Sequence, residues 1–174
     1  PGVTRKHLNL GVIQRILGQL LMLFSVTMLV PAAVSLAYSD GQVALFVDAF
    51  LILLAAGLLA WLPTRRQRGD LRLRDGFLVV VLFWSVIGLA GAVPFFLADS
   101  PRMTVSEAVF ESVSGFTTTG ATVLVGLDAL PPSILYYRQQ IQWLGGIGIV
   151  VLAVALLPLL GIGGMQLLKA ETPG

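Results

Sequence analysis

Thr117-Thr118-Thr119-Gly120-Ala121-Thr122-Val123 decides how this chain is read. Three consecutive threonines followed by a glycine disfavour a helix, yet the run lies among strongly apolar segments. Immediately before it, residues 104–116 read as a short helix. Thr104 is an N-cap and Glu107 completes a capping box in Thr-Val-Ser-Glu. Val105, Ala108, Val109, Val113 and Phe116 recur at helical spacing. A helix of that length reaches about 20 Å, short of the roughly 30 Å of bilayer hydrocarbon. It enters the membrane part-way and must return. Backbone at membrane depth that is neither helix nor sheet has to be buried in protein or line water, and this run suits the second case. Small side chains on extended backbone present a row of carbonyl oxygens, and such rows replace the hydration shell of potassium. Gly120 opens a backbone conformation closed to other residues and keeps a side chain out of the path. The carboxyl end of the short helix, with its partial negative charge, points toward the same place. Taken by itself the threonine run also fits an exposed polar turn; its position supplies the stronger reading.

Outward from this loop, four stretches are long and apolar enough to span: Ile16–Tyr38, Val43–Leu62, Gly76–Leu97 and Ile141–Leu160. The 174 residues are 56% hydrophobic and only 11% charged, against about 25% charged in a typical soluble domain. The expected fold is therefore an all-α membrane protein with four transmembrane helices, one re-entrant pore helix and an extended filter loop. Residues 1–75 form an amino-terminal helical pair with a basic loop, and residues 76–174 a helix–pore loop–helix repeat. Pro31, Pro94 and Pro158 are tolerable in spans, because neighbouring helices or water take up the freed carbonyls. The first apolar run is too long for a cleaved signal peptide, and both ends of the chain read as cuts in a longer protein.

Lys and Arg set the orientation. Arg5, Lys6, Arg15, Arg65, Arg66, Arg68, Arg72, Arg74 and Lys169 fall on one side, and Arg102 and Arg138 on the other. Both termini and loop 64–75 are then cytoplasmic, and 39–42 and 98–137 face outward. The basic loop is a topology signal first, and a contact for anionic lipid or a cytosolic partner second. Tyr38, Trp61, Trp84, Tyr136, Tyr137 and Trp143 read as interfacial rings. Asp48 sits either at the outer interface or in a polar contact inside the bundle. Arg138 opens the fourth span, as an interfacial anchor or as partner to a carboxylate of the outer segment. Glu107 and Glu111 either concentrate cations at a mouth or serve the local fold as cap and hydrogen-bond acceptor. Gly88, Gly91, Gly145, Gly146 and Gly148 permit close helix packing or make room for the loop. Gly161, Gly163 and Gly164 end or kink the last helix. The absence of cysteine removes disulfides, zinc fingers and thiol catalysis. His7 reads as solvated, the net charge of +2 gives no sign of nucleic-acid binding, and no constellation for an enzyme is present.

The segment from Phe110-Glu111-Ser112-Val113-Ser114-Gly115-Phe116 through Thr122 resembles the first pore loop of the Trk/Ktr/HKT superfamily of potassium transporters. Arg74-Asp75-Gly76-Phe77-Leu78 is similar to the entry of that repeat's first helix. Gln142-Trp143-Leu144-Gly145-Gly146-Ile147-Gly148-Ile149 is similar to the start of its second helix, and Leu160-Gly161-Ile162-Gly163-Gly164-Met165-Gln166-Leu167 to its cytoplasmic end. Two helices ahead of the repeat match the TrkH-type bacterial subunit. The resemblance implies potassium uptake across the bacterial inner membrane through a pore of four such repeats. It also implies a homodimer and a cytosolic TrkA-type nucleotide-binding regulator, with potassium as the cargo and no other cofactor. By the same resemblance, filter carbonyls are expected from Thr118, Thr119 and Gly120, flanked by Thr117 and Ala121, and in that superfamily a glycine at the first filter goes with potassium over sodium. Only one repeat is present, so the chain reads as an amino-terminal fragment or as one contributor to a pore completed by other chains. Channel-like and proton- or sodium-coupled uptake share this signature. The competing readings are a non-conducting structural or assembly subunit and a secondary transporter with a broken helix, which would call for inverted repeats.

Overall fold

A computed structural model describes residues 9–67 and 73–156. Within them the chain is helical, without strands. The helices are α1 (Leu10–Val26), α2 (Leu29–Tyr38), α3 (Val43–Trp61), α4 (Leu73–Ala90), α5 (Ala92–Leu97), α6 (Val105–Phe116) and α7 (Pro132–Leu156). Single 3-10 turns occupy Leu62–Thr64 and Leu127–Ala129. Arg5, Lys6, His7, Arg68, Arg72, Pro158, Lys169 and the glycines from Gly161 onward lie outside the described residues.

Three helical stretches are long and apolar enough to cross a membrane: Leu10–Tyr38, Val43–Thr64 and Asp75–Leu97. The expected fourth span is only partly described. The helix that carries it, α7, begins at Pro132, ahead of Ile141, and includes the polar stretch Arg138-Gln139-Gln140. Arg138 therefore lies inside this helix and not at its start. Leucines and valines such as Leu23, Leu36, Leu59, Val81, Leu89 and Val151 are exposed on the outer surfaces, as lipid-facing positions are.

The first span is broken where the sequence requires it. Pro31 has no N–H for the carbonyl of Thr27, and the chain passes through a turn at Thr27 and Met28 between α1 and α2. Gln140 of α7 supplies the missing donor, its Nε2 lying 3.0 Å from Thr27 O. α1 packs along α3 with almost no side chain between the backbones. A Cβ on Gly18 would stand 2.9 Å from the carbonyl oxygen of Gly57.

The core binds these helices to α6. Phe24 of α1 meets Phe116 edge-on at 5.6 Å. Tyr137 of α7 packs against Phe46 at 5.7 Å and Phe95 at 5.1 Å. Tyr137 is fully buried and its hydroxyl donates to Gly91 O at 2.8 Å. It is thus no interfacial ring, although Tyr38, Tyr136 and Trp143 are exposed. Asp48 is also exposed on α3 and, among the described residues, makes no polar contact inside the bundle. The short helix α6 is lodged against α4, α5 and α7, which fixes the loop that follows it.

Candidate ion-coordinating loop

The capping box read from the sequence is formed. Thr104 N–H donates to Glu107 Oε2 at 2.8 Å, and Glu107 N–H reaches Thr104 Oγ1 at 3.4 Å. The backbone N–H and hydroxyl of Thr104 hold the exposed Glu107 carboxyl below its ordinary range. Glu107 is accounted for as a cap.

Two contacts seat α6. Ser112 Oγ donates to Gly88 O at 2.7 Å, beside the break between α4 and α5. Phe116 presses its backbone onto α7 at Gly145, where a Cβ would stand 2.1 Å from Phe116 O. Gly145 thus makes room for the end of α6. Packing and accommodation of the loop, alternatives in the sequence, are one property at this position.

The helix ends in a Schellman motif, with a threonine where glycine is usual. Thr118 N–H donates to Gly115 O at 2.9 Å and Thr119 N–H to Ser114 O at 3.0 Å. Thr118 has φ 56°. For a β-branched residue the left-handed region costs about 1–2 kcal/mol, so the surrounding bonds must hold it there. Thr117 Oγ1 adds a bond to Val113 O at 2.8 Å. The carbonyls of Val113, Ser114 and Gly115 are therefore taken up by the loop's own donors. The end of α6 contributes its dipole at this point, with few free oxygens.

Beyond Thr118 the sign of φ alternates. It is negative at Thr119 and returns to +75° at Gly120. In a regular strand successive carbonyls face opposite sides. Positive φ at alternate residues turns peptide planes over and brings consecutive carbonyls toward one side. Among the described residues, the carbonyls of Thr118, Thr119 and Gly120 accept no hydrogen bond. Ala121 O differs, accepting from Ser114 Oγ at 2.6 Å. Residues 117–123 are all exposed, and a Cβ on Gly120 would meet nothing within 4 Å. Of these, Thr117, Thr119 and Ala121 border an open groove of about 970 Å³, lined also by Val105, Val109, Phe110 and Val113 of α6.

The return limb is held by Glu111, which the sequence left between two roles. Its side chain is buried on α6, with a 2.6 Å ion pair to Arg138 Nε of α7. Thr122 Oγ1 lies 2.9 Å from each carboxylate oxygen, and Val123 N–H donates to Oε2 at 3.2 Å. The carboxylate is thus enclosed by donors instead of standing at a mouth. Arg138 takes the second of its two alternatives, pairing with a carboxylate of the outer segment. Removing one member of a buried pair costs about 3–5 kcal/mol. No periodicity marked Glu111 as central; its only sign was a second carboxylate, four residues after Glu107, on a short helix.

Residues 42–174 match the family model TrkH, a cation transport protein. The chain belongs to the TrkH family. This TrkH-family chain is 61% identical over 160 residues to the Trk system potassium uptake protein TrkH of Vibrio parahaemolyticus, covering 92% of the chain and 33% of that protein. It is 57% identical to the protein of the same name from Escherichia coli K12, covering 93% of the chain and 34% of the relative. The crystal structure of the potassium transporter TrkH from Vibrio parahaemolyticus superposes with a TM-score of 0.84 at 59% identity, over 90% of this chain and 33% of that one. The chain therefore spans about a third of the length of these relatives and corresponds to the amino-terminal part of a TrkH-type membrane subunit.

Proposed function

We propose that this chain contributes the first helix–pore loop–helix repeat of a potassium uptake pore. Residues 1–75 are the helical pair ahead of it and residues 76–174 the repeat itself. The observation that carries the reading is the alternation of φ at Thr118, Thr119 and Gly120, whose carbonyls are unengaged at the carboxyl end of a short capped helix. Carbonyl oxygens in that arrangement replace water around a potassium ion. In this reading Thr118, Thr119 and Gly120 coordinate the ion, Thr117 and Ala121 flank them, and potassium is cargo rather than cofactor. The names of the relatives support potassium as the ion.

One loop supplies one quarter of a coordination ring, and further repeats of the same pore complete it. The working unit is a homodimer of full-length subunits in the bacterial inner membrane, with both ends of this segment cytoplasmic and a TrkA-type nucleotide-binding regulator on that side. The nine-to-two distribution of basic residues supports the orientation. Nucleic acid and enzymatic chemistry have no part in it.

The test is potassium-dependent growth of a host stripped of its own uptake systems, carrying the full-length gene product. Growth at low potassium is expected with the natural loop and lost with Gly120→Asp, although the variant still inserts. Equal growth of both would refute the assignment.

A further inference from the structure

The loop read above as the filter is anchored at both ends by different means. Its entrance is fixed by the Schellman bonds from Thr118 and Thr119 to α6. Its exit is fixed by Ser114 Oγ on Ala121 O and by Glu111 on Thr122 and Val123. Only the second anchor reaches beyond α6, because Arg138 of α7 holds the same carboxylate. Glu111 thus ties three segments at one point: the pore helix, the limb leaving Gly120, and the helix that follows.

A buried ion pair is weak evidence for stability, since well-packed apolar residues in its place are often as stable or more so. What it supplies is geometry. The guanidinium is a rigid planar donor that orients the carboxylate, and the carboxylate then fixes the Thr122 hydroxyl and the Val123 amide. Thr119 is tied to Thr117 by a 2.8 Å hydroxyl–hydroxyl bond, and Gly120 N–H reaches Ser114 O at 3.4 Å, but both residues are exposed and the space at Gly120 is open to 4 Å. The placement of their carbonyls depends on the two anchors. Discrimination between cations of equal charge depends on the number and placement of the coordinating oxygens, and about 0.5 Å of freedom is enough to degrade a site.

We propose that Glu111 is a positioning residue for ion selectivity: paired with Arg138, it sets the exit limb at Thr122 and Val123 so that the loop favours potassium over sodium. The proposal rests on the filter reading of Thr117–Ala121.

The experiment compares potassium and sodium uptake into liposomes holding the full-length gene product, its Glu111→Gln variant, or its Thr122→Val variant. Thr122→Val keeps the ion pair and removes the hydroxyl, which donates to Glu111 and accepts from Leu124 N–H at 3.0 Å. The potassium-to-sodium ratio should fall roughly tenfold in Glu111→Gln and about fivefold in Thr122→Val. A purely structural role would lower the amount of inserted protein and leave the ratio unchanged. An unchanged ratio in Thr122→Val overturns the proposal, even where Glu111→Gln fails to insert. If the natural protein passes neither ion selectively, the filter reading falls and this inference with it. If it selects potassium and both variants do so equally well, this inference alone is wrong.

Discussion

Phe116 and Gly145 touch backbone to backbone: a Cβ at residue 145 would stand 2.1 Å from the Phe116 carbonyl oxygen and 2.7 Å from its carbon. A methyl group there has no flexible side chain to push aside. We expect Gly145→Ala to destabilise the fold by about 1–3 kcal/mol through forced backbone shifts. Gly146→Ala is the control, since its nearest foreign atom is Thr118 Cγ2 at 3.9 Å. It should be neutral or slightly stabilising, because alanine suits a helix interior better than glycine. Thermal melts of the two variants in detergent, read against the natural protein, check the pair.

The break between α1 and α2 makes a second prediction. Gln140 Nε2 serves the Thr27 carbonyl that Pro31 leaves without its helical donor. Among the described residues, only Val30 N–H, at 3.3 Å, otherwise reaches that oxygen. Gln140→Leu should therefore cost about 1–3 kcal/mol. Restoring the helical donor with Pro31→Ala should reduce that cost by about 1 kcal/mol or more, a coupling that a double-mutant cycle reads directly. Additive effects of the two substitutions would contradict the account.

Asp40 links the outer turn to the start of α7. Its carboxylate accepts from Ser133 N–H at 2.8 Å, from Gln42 N–H at 3.1 Å and from Ser35 Oγ. Burial pushes its pKa up, but the bonds from Ser35, Ser133 and Gln42 outweigh it and hold the group below 3.8. A carboxyl depressed in the folded state stabilises above its unfolded pKa, and the contribution is lost as pH falls through the lower folded value. The natural protein should thus be more stable than Asp40→Asn at neutral pH, by about 0.3–1 kcal/mol for a carboxylate at a helix start. The gap should close on acidification below about pH 4. Melting temperatures of both proteins over a pH series test this, and a gap independent of pH would count against it.

The sequence was most legible where local chemistry and structure coincide. Thr104 and Glu107 announced their capping box, and Thr117–Thr119 with Gly120 announced a non-helical stretch between helices. It was least legible where polar residues turn inward. Arg138, Gln139 and Gln140 read as the approach to a span, yet they lie within α7, where Arg138 meets Glu111 and Gln140 meets Thr27. Tyr137 read as an interfacial ring because nothing local tells a buried hydroxyl from a wet one; its partner, Gly91 O, is 46 residues away. Glu111 was ambiguous for the same reason, since Arg138 lies 27 residues away in the chain.

The central claim is that the backbone at Gly120 discriminates between cations. The most direct measurement is uptake of rubidium, standing in for potassium, into liposomes containing the full-length gene product, in competition with sodium, for the natural loop and for Gly120→Ser. A serine Cβ meets no neighbour there, but φ +75° is strained for it. The substitution therefore acts on the loop backbone and not on packing. Strong preference for rubidium is expected in the natural protein, with a loss of that preference in the variant. The same preference in both would contradict it.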